Sequence, residues 1–326
     1  MKAVQFSRFG GPEVLEIVER PTPPPGPGEV LVRVRAAGVN YFETLLRRDL
    51  YAVTPELPMV PGVEVAGEIE AVGEGVDAAL HGVRVAVPMF AIGRPTGGYA
   101  EYVAADAGSV VPLPDDLSFE DAVALLVQGL SALHLARHSP LRGRTVLVTA
   151  AAGGVGSLLL PLARRAGAER VIAVAGGPEK LDVARGLGAD LGIDYRESGW
   201  AARVQVATGG LGADIIYDTV GGAVTKACLD ALAPGGELVF GALGRFELGA
   251  AELEGMILQN QSLKGFALLP LLTPEGLRTD LAELFALAAA GALTVRQGGR
   301  YRLDQAAEAH RALESRRSTG KVVLIP

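Results

Sequence analysis

Thr145-Val146-Leu147-Val148-Thr149-Ala150-Ala151-Ala152-Gly153-Gly154-Val155-Gly156 is the stretch whose reading decides the fold. An apolar run with β-branched residues passes into a glycine-rich turn, and the pattern beyond it predicts a helix over Gly156–Gly167. The next apolar run, Arg170–Ala175, predicts a second strand. Strand, glycine turn, helix and strand form the βαβ unit that suits a dinucleotide. Backbone N–H groups can approach a pyrophosphate closely, and the helix N-terminus offers it partial positive charge. Against the G-x-G-x-x-G template, Ala151 stands where the first glycine is usual, followed by Gly153 and Gly156. Ala152, Gly153, Gly154, Val155 and Gly156 are therefore cofactor-binding candidates.

Beyond this unit the alternation continues. Further strands are expected at Leu191–Ile193, Asp214–Asp218, Gly236–Gly241 and Ser262–Ala267, with the strand of the opening stretch running Thr145–Ala150. Helices between them are expected to begin near Pro178, Ser198, Gly222 and Leu248, so the region reads as a doubly wound parallel sheet. Upstream the pattern differs. Val30–Ala36 alternates strongly, Glu64–Ile69 more loosely, and Pro23–Gly28, Pro61-Gly62, Gly73-Glu74-Gly75 and Gly97-Gly98 supply turns. Short strands so punctuated suggest a barrel-like β domain. The change comes at Ser118, a helix N-cap with Asp121 in the capping-box position. Past Thr279 a helix (Leu281–Ala290), a strand (Arg300–Leu303), a helix (Asp304–Leu313) and a last strand (Gly320–Ile325) are expected to return to the N-terminal domain. The expected division is 1–118 and 269–326 for the β-rich catalytic domain, with 119–268 inserted as the cofactor domain.

Composition narrows the function classes. With 326 residues, 49% of them hydrophobic, two ordinary cores are affordable without disulfides or metals. A net charge of -7 without a basic stripe argues against nucleic acid as a partner. No stretch of eighteen uninterrupted apolar residues occurs, so no membrane span is expected. Cys228 is the single cysteine, which rules out intrachain disulfides and cysteine-cluster metal sites, and a cytoplasmic location is expected.

The choice of dinucleotide turns on one position. NAD-selective sites carry Asp or Glu about 20 residues beyond the glycine turn, to bind the ribose hydroxyls. Here that region reads Val174-Ala175-Gly176-Gly177, with no acid. Its absence leaves room for a 2′-phosphate, and Lys180 in the first turn of the next helix can meet one as a point charge. Pro178 suits the first helical position. Tyr195 and Arg196, after the third strand, can lie against the adenine or the phosphate. NADPH is the expected cofactor, with Gly176, Lys180 and Tyr195 in contact with it.

Several motifs then converge. Lys2-Ala3-Val4, Gly10-Gly11-Pro12-Glu13-Val14-Leu15, Ala37-Gly38-Val39-Asn40, Pro61-Gly62-Val63-Glu64-Val65-Ala66-Gly67 and Gly98-Tyr99-Ala100-Glu101-Tyr102 lie in the first part. Gln128-Gly129-Leu130-Ser131-Ala132, Ala151–Gly156, Pro178-Glu179-Lys180-Leu181, Leu187-Gly188-Ala189-Asp190 and Thr319-Gly320-Lys321 complete the set. Over nearly its whole length the chain resembles the zinc-independent quinone oxidoreductase branch of the medium-chain dehydrogenase/reductase superfamily. The resemblance implies a GroES-like β domain joined to a Rossmann domain. The zinc branch of that superfamily carries a cysteine ligand after A-G-V and a histidine in G-H-E. This chain has Asn40 and Val63 at those positions, so no catalytic metal is expected. His81, His134, His138 and His310 show no ligand-like spacing.

The resemblance also implies roles for single residues. Asn40 and Tyr51 are expected to be catalytic, lining the nicotinamide and substrate end, with Asn40 also bonding the cofactor. Ser131 is expected near the carboxamide, Gly241 and Leu243 in the loop beside the cofactor, and Arg316 reaching the dinucleotide. Where relatives have Asp, this chain has the longer Glu43, expected to alter the pocket floor. The loop before Tyr51 lacks a glycine that relatives often have, and Gly82-Val83-Arg84-Val85 varies the family's G-D-R-V turn. Homodimerisation is expected through the apolar edge Ser262–Leu269.

Without a metal to polarise an alcohol or ketone, hydride transfer suits acceptors that carry their own electrophilicity. Reduction of a quinone by NADPH leads. An enoyl or 2-alkenal reductase acting on α,β-unsaturated carbonyls, including polyketide-type enoyl reduction, is the enzymatic alternative. An NADPH-binding structural or regulatory protein of low turnover is the alternative of another class.

Overall fold

The apolar alternation of the N-terminal region forms antiparallel strands in a computed structural model that describes residues 1–93, 96–243 and 245–326. In chain order they are β1 (Lys2–Gln5), β2 (Glu16–Glu19), β3 (Glu29–Val39), β4 (Val65–Val72), β5 (Arg84–Val87), β6 (Tyr102–Asp106) and β7 (Val111–Pro112). The short helix α1 (Tyr41–Arg47) joins β3 to β4. Strand β3 is the hub: it pairs antiparallel with both β4 and β6. Its inward residues Val30, Val32, Val34 and Val39 are fully or nearly buried, among a core that includes Val65, Val85 and Val103. Burying each such side chain stabilises the fold by about 1.5–3 kcal/mol before entropy is counted.

At the change of pattern, the Ser118 hydroxyl accepts the Asp121 N–H at 3.0 Å and starts α2 (Phe119–Ala124). The helix runs on through a π turn at Leu125–Gly129 into α3 (Leu130–His138). Among the described residues, this Phe119–His138 run alone is long and apolar enough to cross a membrane, with mean hydropathy 1.2. Yet 61% of it is buried inside the protein, as in the core helix of a globular domain. The chain divides into two compact units, Met1–Leu130 with Leu272–Pro326, and Ser131–Leu271. The division thus falls inside the helical run, past the compositional change at Ser118.

The second unit is built on six parallel strands, β8 (Thr145–Val148), β9 (Arg170–Ala175), β10 (Leu191–Asp194), β11 (Ala213–Asp218), β12 (Leu232–Phe240) and β13 (Ser262–Gly265). Helices α4 (Gly154–Arg165), α5 (Pro178–Gly186), α6 (Trp200–Ala207), α7 (Ala223–Ala231) and α8 (Ala250–Leu258) connect them in turn. The strand order is β10-β9-β8-β11-β12-β13, the doubly wound order in which direction reverses between β8 and β11. Ligands of such sheets bind beyond the carboxyl ends of the strands at that reversal.

Several boundaries differ from the sequence expectation, each for a local reason. Strand β8 ends at Val148 rather than Ala150, because Ala150 turns into the left-handed region (φ 47). Helix α4 starts at Gly154, not Gly156. The edge strand β13 stops at Gly265, and the apolar residues after it form a short 3₁₀ turn at Leu269–Leu271. Helix α9 runs Pro274–Ala289 instead of Leu281–Ala290, capped by the Thr273 hydroxyl with Pro274 at its first position. Polar Glu275, Arg278 and Thr279 obscure its early turns in the sequence. Strand β14 (Gln297–Arg302) starts earlier than expected, and the last helix is a 3₁₀ turn followed by α10 (Ala306–Glu314). Strand β15 (Lys321–Ile325) then pairs antiparallel with β3, Val322 opposite Val39 and Val323 opposite Gly38, so the tail belongs to the first unit.

Candidate active and cofactor sites

In the second unit the site begins at the reversal point. Gly153 is the N-cap of α4, and the first-turn N–H groups that follow have no acceptor within the helix. A Cβ on Gly156 would lie 2.5 Å from the Ala150 carbonyl oxygen and 2.7 Å from the Ala151 Cα, so only glycine lets the helix close on the turn. One on Gly153 would stand 3.0 Å from the same oxygen. Ala151, at the usual first-glycine position, does not adopt a positive φ; Ala150 does. That shift explains why alanine is tolerated there.

The neighbouring strand ends extend this cradle. The Gly176 backbone leaves room for the Tyr195 hydroxyl, which would lie 2.9 Å from a Cβ at that position. Lys180 is half-buried in the first turn of α5. Gly241 follows β12, and its N–H donates to the Asp218 carbonyl at 2.9 Å. Leu243 is exposed, and Ser131 is half-buried near the start of α3. The fully buried Asp218, which sequence reasoning passed over, organises the loop after β11. It accepts from the Thr149 and Thr225 hydroxyls, at 3.1 and 2.5 Å, and from the Val220 N–H at 2.8 Å. A strand-terminal acid followed by Thr-Val-Gly-Gly was the available signal.

In the first unit Asn40 caps α1, but its side chain points into a buried cluster and not to the helix. Asn40 Nδ2 donates to Glu64 Oε1 at 2.8 Å, and Lys321 Nζ donates to Asn40 Oδ1 at 2.9 Å and to Glu64 Oε1 at 2.5 Å. The other Glu64 oxygen accepts the Val127 N–H at 2.7 Å, inside the π turn. All three side chains are 3% exposed or less, so the ammonium and the carboxylate each rely on the other. Gly38 is obligatory beside them, since a Cβ would stand 2.3 Å from Glu64 Oε1. Asn40 thus keeps only its second amide hydrogen and part of its carbonyl for any ligand.

A second buried cluster adjoins the first. Glu43, buried, accepts from the Asn40 N–H at 2.8 Å, the Gly62 N–H at 2.9 Å and the Tyr99 hydroxyl at 3.2 Å. Burial pushes its pKa up to about 7, assisted by the Glu64 charge and opposed by these backbone donors and Lys321. Through these bonds Glu43 caps α1 and ties down the Pro61-Gly62 loop. The Tyr99 hydroxyl also meets His310 Nε2 at 3.1 Å. Burial, with Arg47 close by, depresses the His310 pKa to about 3, so the ring is neutral. With Tyr99 donating to Glu43, that ring donates through Nε2. Arg47, 1% exposed, pairs with Glu314.

Tyr51 is half-buried against Phe42, ring centroids 5.4 Å apart, and burial raises its pKa. In the loop before Tyr51, Asp49 takes the left-handed conformation (φ 54) that Asp tolerates. Arg316 is exposed just past α10, also with positive φ (53). The structure therefore groups the turn residues, Gly176, Tyr195 and Gly241 at the carboxyl ends of one sheet, and sets Asn40 in a separate buried cluster. Sequence reasoning missed Lys321, Glu64, Tyr99 and His310 as partners, although the first three lay in quoted motifs. Among the described residues no group of three or more His, Cys, Asp or Glu is placed to hold a metal ion.

A β-rich unit that both begins and ends the described chain, with a doubly wound nucleotide-type sheet inserted, defines the medium-chain dehydrogenase/reductase class. Residues 26–115 match the alcohol dehydrogenase GroES-like domain family, and residues 187–324 match the zinc-binding dehydrogenase family. A quinone oxidoreductase of Pseudomonas aeruginosa is 40% identical over 334 residues, covering 100% of this chain and 99% of its own. The Escherichia coli quinone oxidoreductase, solved in complex with NADPH, superposes with a TM-score of 0.90 at 32% identity, covering 100% of both chains. A mycobacterial protein solved in complex with NADPH gives 0.88 at 37% identity, again over 100% of both. The chain belongs to the quinone oxidoreductase family.

Proposed function

We propose that the protein is an NADPH-dependent oxidoreductase that reduces quinones. The observation that carries this reading is the ending of β9 in Gly176-Gly177. No acid stands there to oppose a 2′-phosphate, and the gap admits the Tyr195 hydroxyl. The NADPH complexes of relatives with 100% coverage support it. The glycine cradle of residues 152–156 fits a pyrophosphate, and Gly176, Lys180 and Tyr195 fit the adenosine phosphate. Ser131, Gly241, Leu243 and Arg316 are proposed along the remainder of the dinucleotide. NADPH when bound supplies a hydride. Asn40, held by Lys321 and Glu64, orients the reacting end through its remaining amide hydrogen. Tyr51, whose raised pKa keeps its hydroxyl protonated, positions the acceptor.

The acceptor is tested by stopped-flow oxidation of NADPH against a panel of quinones and enones. Quinones are expected to react fastest; faster enones would favour the alkenal reductase reading, and no turnover with either would leave an NADPH-binding protein. A homodimer through β13 is also proposed. It is an edge strand, and Ile257 and Leu258 on the preceding helix are 74% and 81% exposed. Light scattering at a monomer mass would overturn it. A cytoplasmic location is proposed on the single free, buried Cys228.

A further inference from the structure

Strand β10 ends in an acid, Asp194, immediately beside the end of β9, with Asp194 in register with Ala175. An acid at the end of the strand that follows the glycine turn ordinarily accepts the ribose hydroxyls and repels a 2′-phosphate; Asp194 ends the next strand, beside that position. Here the carboxylate is turned to another use. Asp194 is 8% exposed and accepts from the Arg196 backbone N–H at 3.0 Å. It accepts from Arg196 Nε at 3.0 and 3.1 Å and from Nη2 at 2.7 Å, a forked arrangement that fixes the plane of the guanidinium. The Gly177 N–H adds a further bond to the same carboxylate.

These bonds decide where the arginine lies. A Cβ on Gly177 would stand 2.7 Å from Arg196 Nη2, so the guanidinium is packed over the bare Cα of that glycine. Gly177 also has φ 98, so the position excludes a side chain twice over. The arginine side chain remains 57% exposed, and among the described residues its Nη1 has no hydrogen-bond partner. A rigid fork with free N–H donors, one residue from Tyr195, matches the oxygens of a phosphate. The Arg196 hydrogen bonds outweigh burial and hold the Asp194 pKa at about 2, so the pair stays ionised across the working range.

We propose that Asp194 is a positioning residue for cofactor choice: it clamps the Arg196 guanidinium over Gly177, where the guanidinium receives the 2′-phosphate of NADPH. The inference rests on the NADPH reading given above. It makes an acid on the neighbouring strand a determinant for the phosphate, acting through its arginine.

The test compares binding of 2′,5′-ADP with that of 5′-ADP, which lacks the 2′-phosphate, together with kcat/KM for NADPH and NADH. Arg196→Gln is expected to weaken 2′,5′-ADP about tenfold, a lost charge-assisted bond, while 5′-ADP moves by less than about twofold. Asp194→Asn keeps the shape but loosens the clamp, and is expected to weaken 2′,5′-ADP about three- to tenfold with NADH turnover retained. If Asp194 acts through Arg196, the double variant is no worse than Arg196→Gln. A merely structural role would lower the NADH reaction as well. Unchanged discrimination in Arg196→Gln overturns the proposal even if Asp194→Asn fails to fold, and additive effects of the two substitutions overturn the clamp. Should the wild-type protein bind 2′,5′-ADP no better than 5′-ADP, the NADPH reading falls, and the proposal with it.

Discussion

The glycine turn before α4 and the polar cluster around Asn40 are both candidate functional sites, but they are made of different material. The turn is backbone: its shape comes from Gly153 and Gly156, from Ala150 in the left-handed region, and from the reversal between β8 and β11. The turn residues themselves lie within a dozen consecutive positions. The Asn40 cluster is side chain: Lys321, Glu64 and the Asn40–Glu43 helix start meet from three separate segments, with Lys321 lying 257 residues from Glu64. A backbone site tolerates change in side-chain chemistry and fails on added bulk. A buried charged cluster tolerates little change in charge and fails when one partner is lost.

The largest effect expected from this contrast is at Lys321. Lys321→Met leaves the Glu64 carboxylate buried without its cation and should cost about 3–5 kcal/mol of stability. Urea unfolding measures it; a loss below about 1 kcal/mol would mean that the cluster relaxes as readily as a surface pair. Next comes Gly156→Ala. The added methyl is forced onto the Ala150 carbonyl, and NADPH affinity should fall roughly tenfold or more, each decade being about 1.4 kcal/mol. Fluorescence titration checks this, and unchanged binding would show that the turn can shift without consequence.

The third prediction concerns pH. Folding raises the Glu43 pKa from its usual value to about 7, so between these values the native state holds more protons than the unfolded one. Its contribution to stability therefore declines as pH rises through that window, by an amount on the order of 3 kcal/mol. His310, depressed to about 3, works in the opposite sense: its contribution is lost as pH falls through the window between its usual value and that one. Glu43→Gln should remove the decline and leave the rise, giving a profile that climbs from acid to neutral pH; parallel profiles for wild type and variant would break the assignment. The smallest effect is at Ala150. Replacing it with glycine relieves a left-handed alanine and should stabilise the protein by roughly half a kcal/mol, readable as a small rise in Tm.

The same contrast explains what could be read from the chain. The βαβ unit, the parallel order of the inserted sheet and the absence of an acid after β9 are local patterns, and Thr145–Gly156 with Val174–Gly177 carried them. The roles of Lys321, Tyr99 and His310 were hidden because each depends on a partner that only the antiparallel pairing of β15 with β3, or the packing of α10, brings near. Asp194 is a different case. It is a visible acid near the adenosine end, yet its direction is set by Arg196 and the bare Gly177, which no spacing rule states. Helix α9 shows only its later turns as a sequence pattern, because its first turns are polar and its start depends on the Thr273 cap.

The delivery of Lys321 by β15 has a consequence for the order in which the protein can be finished. The whole second unit, Ser131–Leu271, leaves the ribosome before the cation that Glu64 needs. The Rossmann-type sheet can therefore be complete while the first unit still holds an unmatched buried acid. On this account the nascent chain completes its parallel sheet first, and the buried cluster around Glu64 closes only once Lys321 has been made.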